Sequence, residues 1–142
     1  MKKLLFVLAT LGFIFQSQAQ SIPSKEVPAS VKTVYSKTHP KATAVKWRKD
    51  GNSFESTFTE NGEKKSATFD NQGVLIKDEE SIVVAALPAA ATAYIDKIYK
   101  GKKIKKASRM LGSNGVINYQ AEVDGLNLLF DVHGQFLKSV KD

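Results

Sequence analysis

Cysteine is absent from the 142-residue chain, and histidine occurs only twice, as His39 and His133. Without a thiol there is no disulfide, no cysteine nucleophile, no iron–sulfur cluster and no cysteine-ligated zinc. Two histidines leave little material for an imidazole metal site or an acid–base pair. No apolar run reaches the ~20 residues that a membrane-spanning helix needs; the one from Leu4 to Phe15 has 12. Walker-type phosphate loops, dinucleotide fingerprints and low-complexity stretches are missing as well.

What is present is ordinary globular material. Lys and Arg number 21 against 14 Asp and Glu, a net charge of +7, and 42% of residues are hydrophobic. Length and balance suit one folded domain rather than two large ones or a disordered chain.

Lys2 and Lys3 precede the Leu4–Phe15 run, and the small residues Ser17 and Ala19 then stand where a signal peptidase expects them, with Gln20 next. This layout predicts a secretory signal peptide over 1–19. No cysteine follows the run, so lipid anchoring is excluded. Cleavage would remove two lysines and no acid, leaving a net charge of +5 on a periplasmic or secreted chain. Residues 20–26 read as a lead-in.

The remainder, 27–142, echoes itself. Val27-Pro28-Ala29 matches Leu87-Pro88-Ala89, and Phe69-Asp70-Asn71-Gln72-Gly73 matches Phe130-Asp131-Val132-His133-Gly134 in the same order. Val27, Val31, Val34, Tyr35 and Thr38 correspond to Leu87, Ala91, Tyr94, Ile95 and Ile98, each set one stripe of a 3.6-residue helix. Proline fits the first turn of each helix, His39-Pro40 ends the first, and Gly101 ends the second. After each helix the period becomes two, as in Phe54, Ser56, Phe58 and in Ile117, Tyr119, Ala121, Val123. Asp50-Gly51, Asn61-Gly62 and Asp124-Gly125 are hairpin dipeptides. The predicted strands lie near 42–49, 53–60, 63–70, 74–80, 103–110, 116–123, 126–131 and 135–140. The expected fold class is α+β: a tandem repeat (27–86 and 87–142) of a helix followed by a four-stranded antiparallel meander. Both helices would pack on one sheet face over a shared core.

The Val-Pro and Leu-Pro helix starts, the strand carrying Val45-Lys46-Trp47 and the paired Phe-Asp-x-x-Gly turns resemble the PepSY-like, β-lactamase-inhibitor-like domain family, small exported proteins of Bacteroidetes-type bacteria. The resemblance covers about 24–142. Its PepSY side implies restraint of an extracytoplasmic enzyme, often a peptidase; its inhibitor side implies a sheet that grips another protein. No residue here matches an inhibitory contact of that family, so no site is carried over.

Catalytic and metal constellations fail one by one. Asp131 and His133 fall in a turn whose counterpart holds Asp70 and Gln72, where the aspartates are expected to bond their own turn backbone. His39 and His133 have no partner at ligand spacing, and Asp78-Glu79-Glu80 is a short acidic run with no calcium-loop pattern. The expectation is a non-enzymatic protein without cofactor or metal.

Charge is uneven. The first half-sequence (27–86) carries +1 and the second (87–142) +4, most of it in 97–109: Lys97, Lys100, Lys102, Lys103, Lys105, Lys106 and Arg109, with no acid. These cations either complement a helix terminus and guard an edge strand or attract an anionic partner. Only one aromatic, Tyr99, falls among them, not the interleaved series that single-strand nucleic-acid binding requires. The lone tryptophan, Trp47, is flanked by Lys46 and Arg48; it lies either under the helix or on the open sheet face, where it would anchor an interface. Candidate contact residues are thus Trp47, Arg48, Lys46, Lys103, Lys105 and Arg109. The expected partner is an extracytoplasmic protein, or alternatively an anionic glycan or lipid headgroup at the basic patch.

Overall fold

The structure, a computed structural model, describes residues 19–141, so the expected signal segment lies outside the described residues except for Ala19. In chain order the elements are β1 (Gln20–Ile22), α1 (Ala29–Thr38), β2 (Thr43–Asp50), β3 (Ser53–Glu60), β4 (Glu63–Asp70), β5 (Leu75–Ile82), α2 (Ala89–Ile98), β6 (Ile104–Gly112), β7 (Ile117–Val123), β8 (Leu126–Asp131) and β9 (Phe136–Lys141). Short 3-10 turns at Ser24–Glu26 and Val84–Ala86 lead into the helices.

All nine strands form one antiparallel sheet in sequence order. This corrects the expected tandem repeat of helix-plus-four-strand units. Hydrogen bonding does not stop at the predicted boundary: β5 pairs with β6 from Lys77↔Gly112 through Ile82↔Ala107. Two separate meanders would leave both strand edges with unpaired N–H and C=O groups, and joining them satisfies those groups. The lead-in contributes as well, because β1 pairs with β2 at Gln20↔Lys49, Ser21↔Arg48 and Ile22↔Trp47.

Local rules explain the elements. Each helix starts after a proline whose ψ is extended (142° at Pro28, 139° at Pro88), so the ring sits just before the first turn rather than inside it. The Pro28 carbonyl accepts the Lys32 N–H at 3.1 Å, and the Pro88 carbonyl accepts those of Ala91 and Thr92. His39 caps α1 and Pro40 prevents its extension. The second helix ends at Ile98, ahead of the predicted Gly101. Asn61-Gly62 and Asp124-Gly125 adopt paired positive φ angles, as type I′ hairpins require. The Oδ1 atoms of Asp70 and Asp131 each accept two backbone N–H bonds at 2.9 Å within their own turns.

Both helices cover the same sheet face, but the expected shared core is two clusters. Val27, Val31 and Tyr35 pack on Trp47, Phe54, Phe58, Ala67 and Phe69. Leu87, Ala91 and Ile95 pack on Ala107, Ala121, Val123, Leu128 and Phe130. Strand β5 runs between them, and its helix-side residues at this point are Asp78 and Glu80, opposite Ala67 and Lys65. Charged residues there cannot extend either apolar cluster.

Candidate functional site

No helix covers the opposite sheet face, and most of its side chains are polar or charged. Period-two alternation assigns it Lys46 and Arg48 from β2, Thr57 and Thr59 from β3, and Lys64 and Ser66 from β4. Strand β5 adds Lys77, Glu79 and Ser81, and β6 adds Ser108 and Met110. Asn118, Gln120, Glu122 and Asn127 follow from β7 and β8. Across strands these residues align in rows, one of which runs Lys46, Thr57, Ser66, Glu79, Met110, Asn118.

Two depressions open on this face. The larger, about 440 Å³, lies over β2–β5 and is lined by Lys46, Thr57, Thr59, Lys64, Ser66, Glu79 and Ser81. The smaller, about 170 Å³, lies over β5–β8 between Lys106, Ser108, Gln120, Glu122 and Asn127. Both are lined by Glu79 and Ser81, so they adjoin at β5 as a two-part trough. A bulge shifts the β2–β3 register between Thr43 and Lys46 at one end of this trough. Within it Ala44, also a lining residue, takes φ +53°, a left-handed conformation costly for a residue with a Cβ.

The trough's charges are unequally matched. Lys77 holds Glu79 at 3.1 Å and Lys106 holds Glu122 at 3.5 Å. Lys46 and Lys64, both exposed, make no ion pair among the described residues.

A second polar assembly lies on the helix face, in the seam between the two cores. His39 Nδ1 stands 3.3 Å from Glu60 Oε2, and its Nε2 stands 3.6 Å from Asp78 Oδ2. Lys65 reaches Glu60 at 3.5 Å and Glu80 at 3.9 Å, and Arg109 meets Glu80 at 3.5 Å. The chain thus crosses from α1 to β6 over β5. Burial works to raise the Glu60 pKa, but hydrogen bonds from His39 and Lys65 outweigh it and hold the carboxyl below its ordinary value. Burial wins at Asp78, which is raised despite the nearby His39 and Lys65 charges. Among the described residues no group of three or more His, Cys, Asp or Glu is arranged to hold a metal ion. The sequence lists the seam residues separately, and their distance along the chain hides the contact.

The two carboxylates therefore respond oppositely. A depressed folded pKa means that Glu60 adds stability above its unfolded value and loses it as pH falls through the folded one. Glu60→Gln is expected to cost about 1–2 kcal/mol at pH 7, a deficit that shrinks in acid. Asp78→Asn removes a net penalty on the charged form and is expected to leave stability at pH 7 unchanged or higher. Urea unfolding of both variants at neutral and acid pH checks the signs; equal losses at both pH values would contradict them.

The six sequence-derived candidates do not converge. Trp47 is only 6% exposed, edge-on to Tyr35 at a 5.0 Å ring separation, and belongs to the first core. It is therefore unavailable as a surface anchor. Lys46 and Arg48, its neighbours, project from the opposite, open face. Lys103 precedes β6, and Lys105 occupies a register shift between Ile104 and Lys106. Strand β6 lies between β5 and β7, but its pairing with β5 reaches only to Ala107, so Ile104–Lys106 pairs with β7 alone. Arg109 belongs to the helix-side seam through Glu80.

No protein-family model and no curated protein matches the sequence. Solved structures do match the fold. A DUF2874 family protein from Bacteroides uniformis superposes with a TM-score of 0.72 at 20% identity, over 80% of this chain and 88% of that one. A Bacteroides fragilis protein described as BLIP-like gives 0.65 at 21% identity, over 84% and 87%. The chain shares the fold of these proteins. The fold is also shared with a Bacteroides eggerthii protein assigned provisionally to the periplasm, with a TM-score of 0.70 at 16% identity over 81% and 88% of the two chains. That description accords with the extracytoplasmic address read from the sequence. No helix among the described residues is long and apolar enough to cross a membrane.

Proposed function

We propose that the chain is an exported, non-enzymatic binding protein that recognises or restrains an extracytoplasmic protein through the open face of its BLIP-like sheet. A peptidase or other hydrolase is the class suggested by the PepSY side of the sequence resemblance. The observation carrying the reading is the open face over β2–β8, with two adjoining depressions lined largely by hydroxyl, amide and charged groups. Such groups supply directional hydrogen bonds at an interface where apolar area alone gives little specificity.

Site-specific photo-crosslinking tests it. A benzophenone side chain at Thr57 or Gln120 is expected to capture a protein of defined mass in the native envelope, while the same group at Ser36, exposed on α1, captures none. Adducts from Ser36 alone would reject the open face. A second reading, capture of an anionic glycan or lipid headgroup, draws on Lys97, Lys100, Lys103 and Lys105, which are exposed and make no ion pair among the described residues. It predicts adducts from a probe at position 103 that disappear as salt is raised.

A further inference from the structure

Resting on the open-face reading, we propose that the β2–β5 depression receives an acidic, extended segment of the partner protein, its Asp or Glu carboxylates drawn to Lys46 and Lys64. The charge pattern carries the inference. Of the charged groups lining this depression, Glu79 is matched by Lys77 and Lys65 by Glu60 and Glu80, whereas Lys46 and Lys64 are exposed and unpaired among the described residues. The depression is therefore short of negative charge, and the occupant supplies it.

Three further features fit a peptide carboxylate. Thr57, Thr59 and Ser66 line the floor between the two lysines, and their hydroxyls can each donate a hydrogen bond to an anionic oxygen. Lys46 stands on β2 and Lys64 on β4, two strand spacings apart and staggered by two residues along the strands, so about 12 Å separates their backbones. That separation suits same-face carboxylates about four residues apart in an extended segment better than one small anion. The volume of about 440 Å³ falls in the range of cavities that hold several side chains rather than a single ion. No aromatic ring projects from the trough among the described residues, since Phe58, which borders it, is buried on the helix side. A sugar, which binds by stacking its C–H face on a ring, finds no platform there.

Fluorescence anisotropy of a fluorescein-labelled octaglutamate peptide on the folded chain tests this. At low salt the wild type is expected to bind, and K46E/K64E to weaken binding by about tenfold or more. K100E/K103E, the same charge change away from the trough, is expected to weaken it far less. Equal losses in the two variants would reduce the effect to net charge and overturn the proposal, as would no binding by the wild type. Competition by heparin stronger than by unlabelled octaglutamate, and sensitive to K46E/K64E, would reassign the depression to an anionic glycan. Both variants change exposed residues, and matching far-UV spectra and melting curves verify their folding. Photo-crosslinking at Thr57 that persists in the K46E/K64E background would sink this inference and leave the open-face reading standing.

Discussion

Phe130→Ala is expected to lower the unfolding free energy by about 3–5 kcal/mol and to move the Trp47 fluorescence transition by the same amount, although Trp47 belongs to the other core cluster. Phe130 is fully buried and packs edge-on to Tyr94 and Phe136 at 5.8 and 6.0 Å. Removing its ring leaves a cavity that the flanking sheet cannot collapse to fill. Trp47 lies in the first cluster with Tyr35 and Phe69. The two clusters share no buried side chain, and the continuous β5–β6 ladder with the Lys65–Glu80–Arg109 ion pairs joins them. If that connection makes the sheet one cooperative unit, denaturant curves followed by Trp47 emission and by far-UV circular dichroism shift together. A Trp47 transition left at the wild-type midpoint would mean that the two halves unfold independently.

The second large effect is expected at Gly134, which has φ +84° in the turn after β8. A Cβ built there would lie 2.8 Å from the Ala91 nitrogen and 2.8 Å from Pro88 Cβ, so the turn is seated directly against the start of α2. Gly134→Ala therefore combines left-handed strain with a steric clash against backbone, for about 2–4 kcal/mol in all. Gly73 is the equivalent position on α1, where an added Cβ would lie 2.9 Å from Ser30 backbone atoms and φ is +89°. Gly125 separates the two contributions, because it has φ +77° but nothing within 4 Å. Gly125→Ala is expected to cost only about 1 kcal/mol. Urea titrations giving equal losses for Gly125→Ala and Gly134→Ala would remove the helix-docking role of the turn.

Short-range features were legible because short-range physics decides them. The stripes through Val31 and Tyr35 and through Ala91 and Ile95 are buried as their spacing predicts. Asn61-Gly62, Asp124-Gly125 and the two Asp turns follow from residues within four positions of each other. Strand β1 is not legible in the sequence because three residues, Gln20–Ile22, cannot display a period; its identity comes from pairing with β2. The division into two units failed for a related reason. An echo in sequence reports similar local folding, but whether β5 and β6 bond to each other depends on two strand edges meeting across the intervening helix.

The candidate site divides along the same line. Alternation alone puts Lys46 and Arg48 on the face opposite Trp47, and the sequence left open only which face the helix covers. Placing Arg109 required the register carried from β5 to β6, which puts it beside Glu80 on the helix side. The seam around His39 was out of reach, since Glu60 and Asp78 come from other elements. By itself, then, the sequence determined the helices, the hairpins and the thiol-free chemistry, each written in residue identity or neighbouring spacing. Tertiary structure alone decided that one continuous nine-stranded sheet replaces the expected tandem repeat, that Trp47 is core, and that Lys46 and Lys64 border a shared depression. Those outcomes depend on which distant strands pair, and pairing is a property of the whole chain's hydrogen bonding.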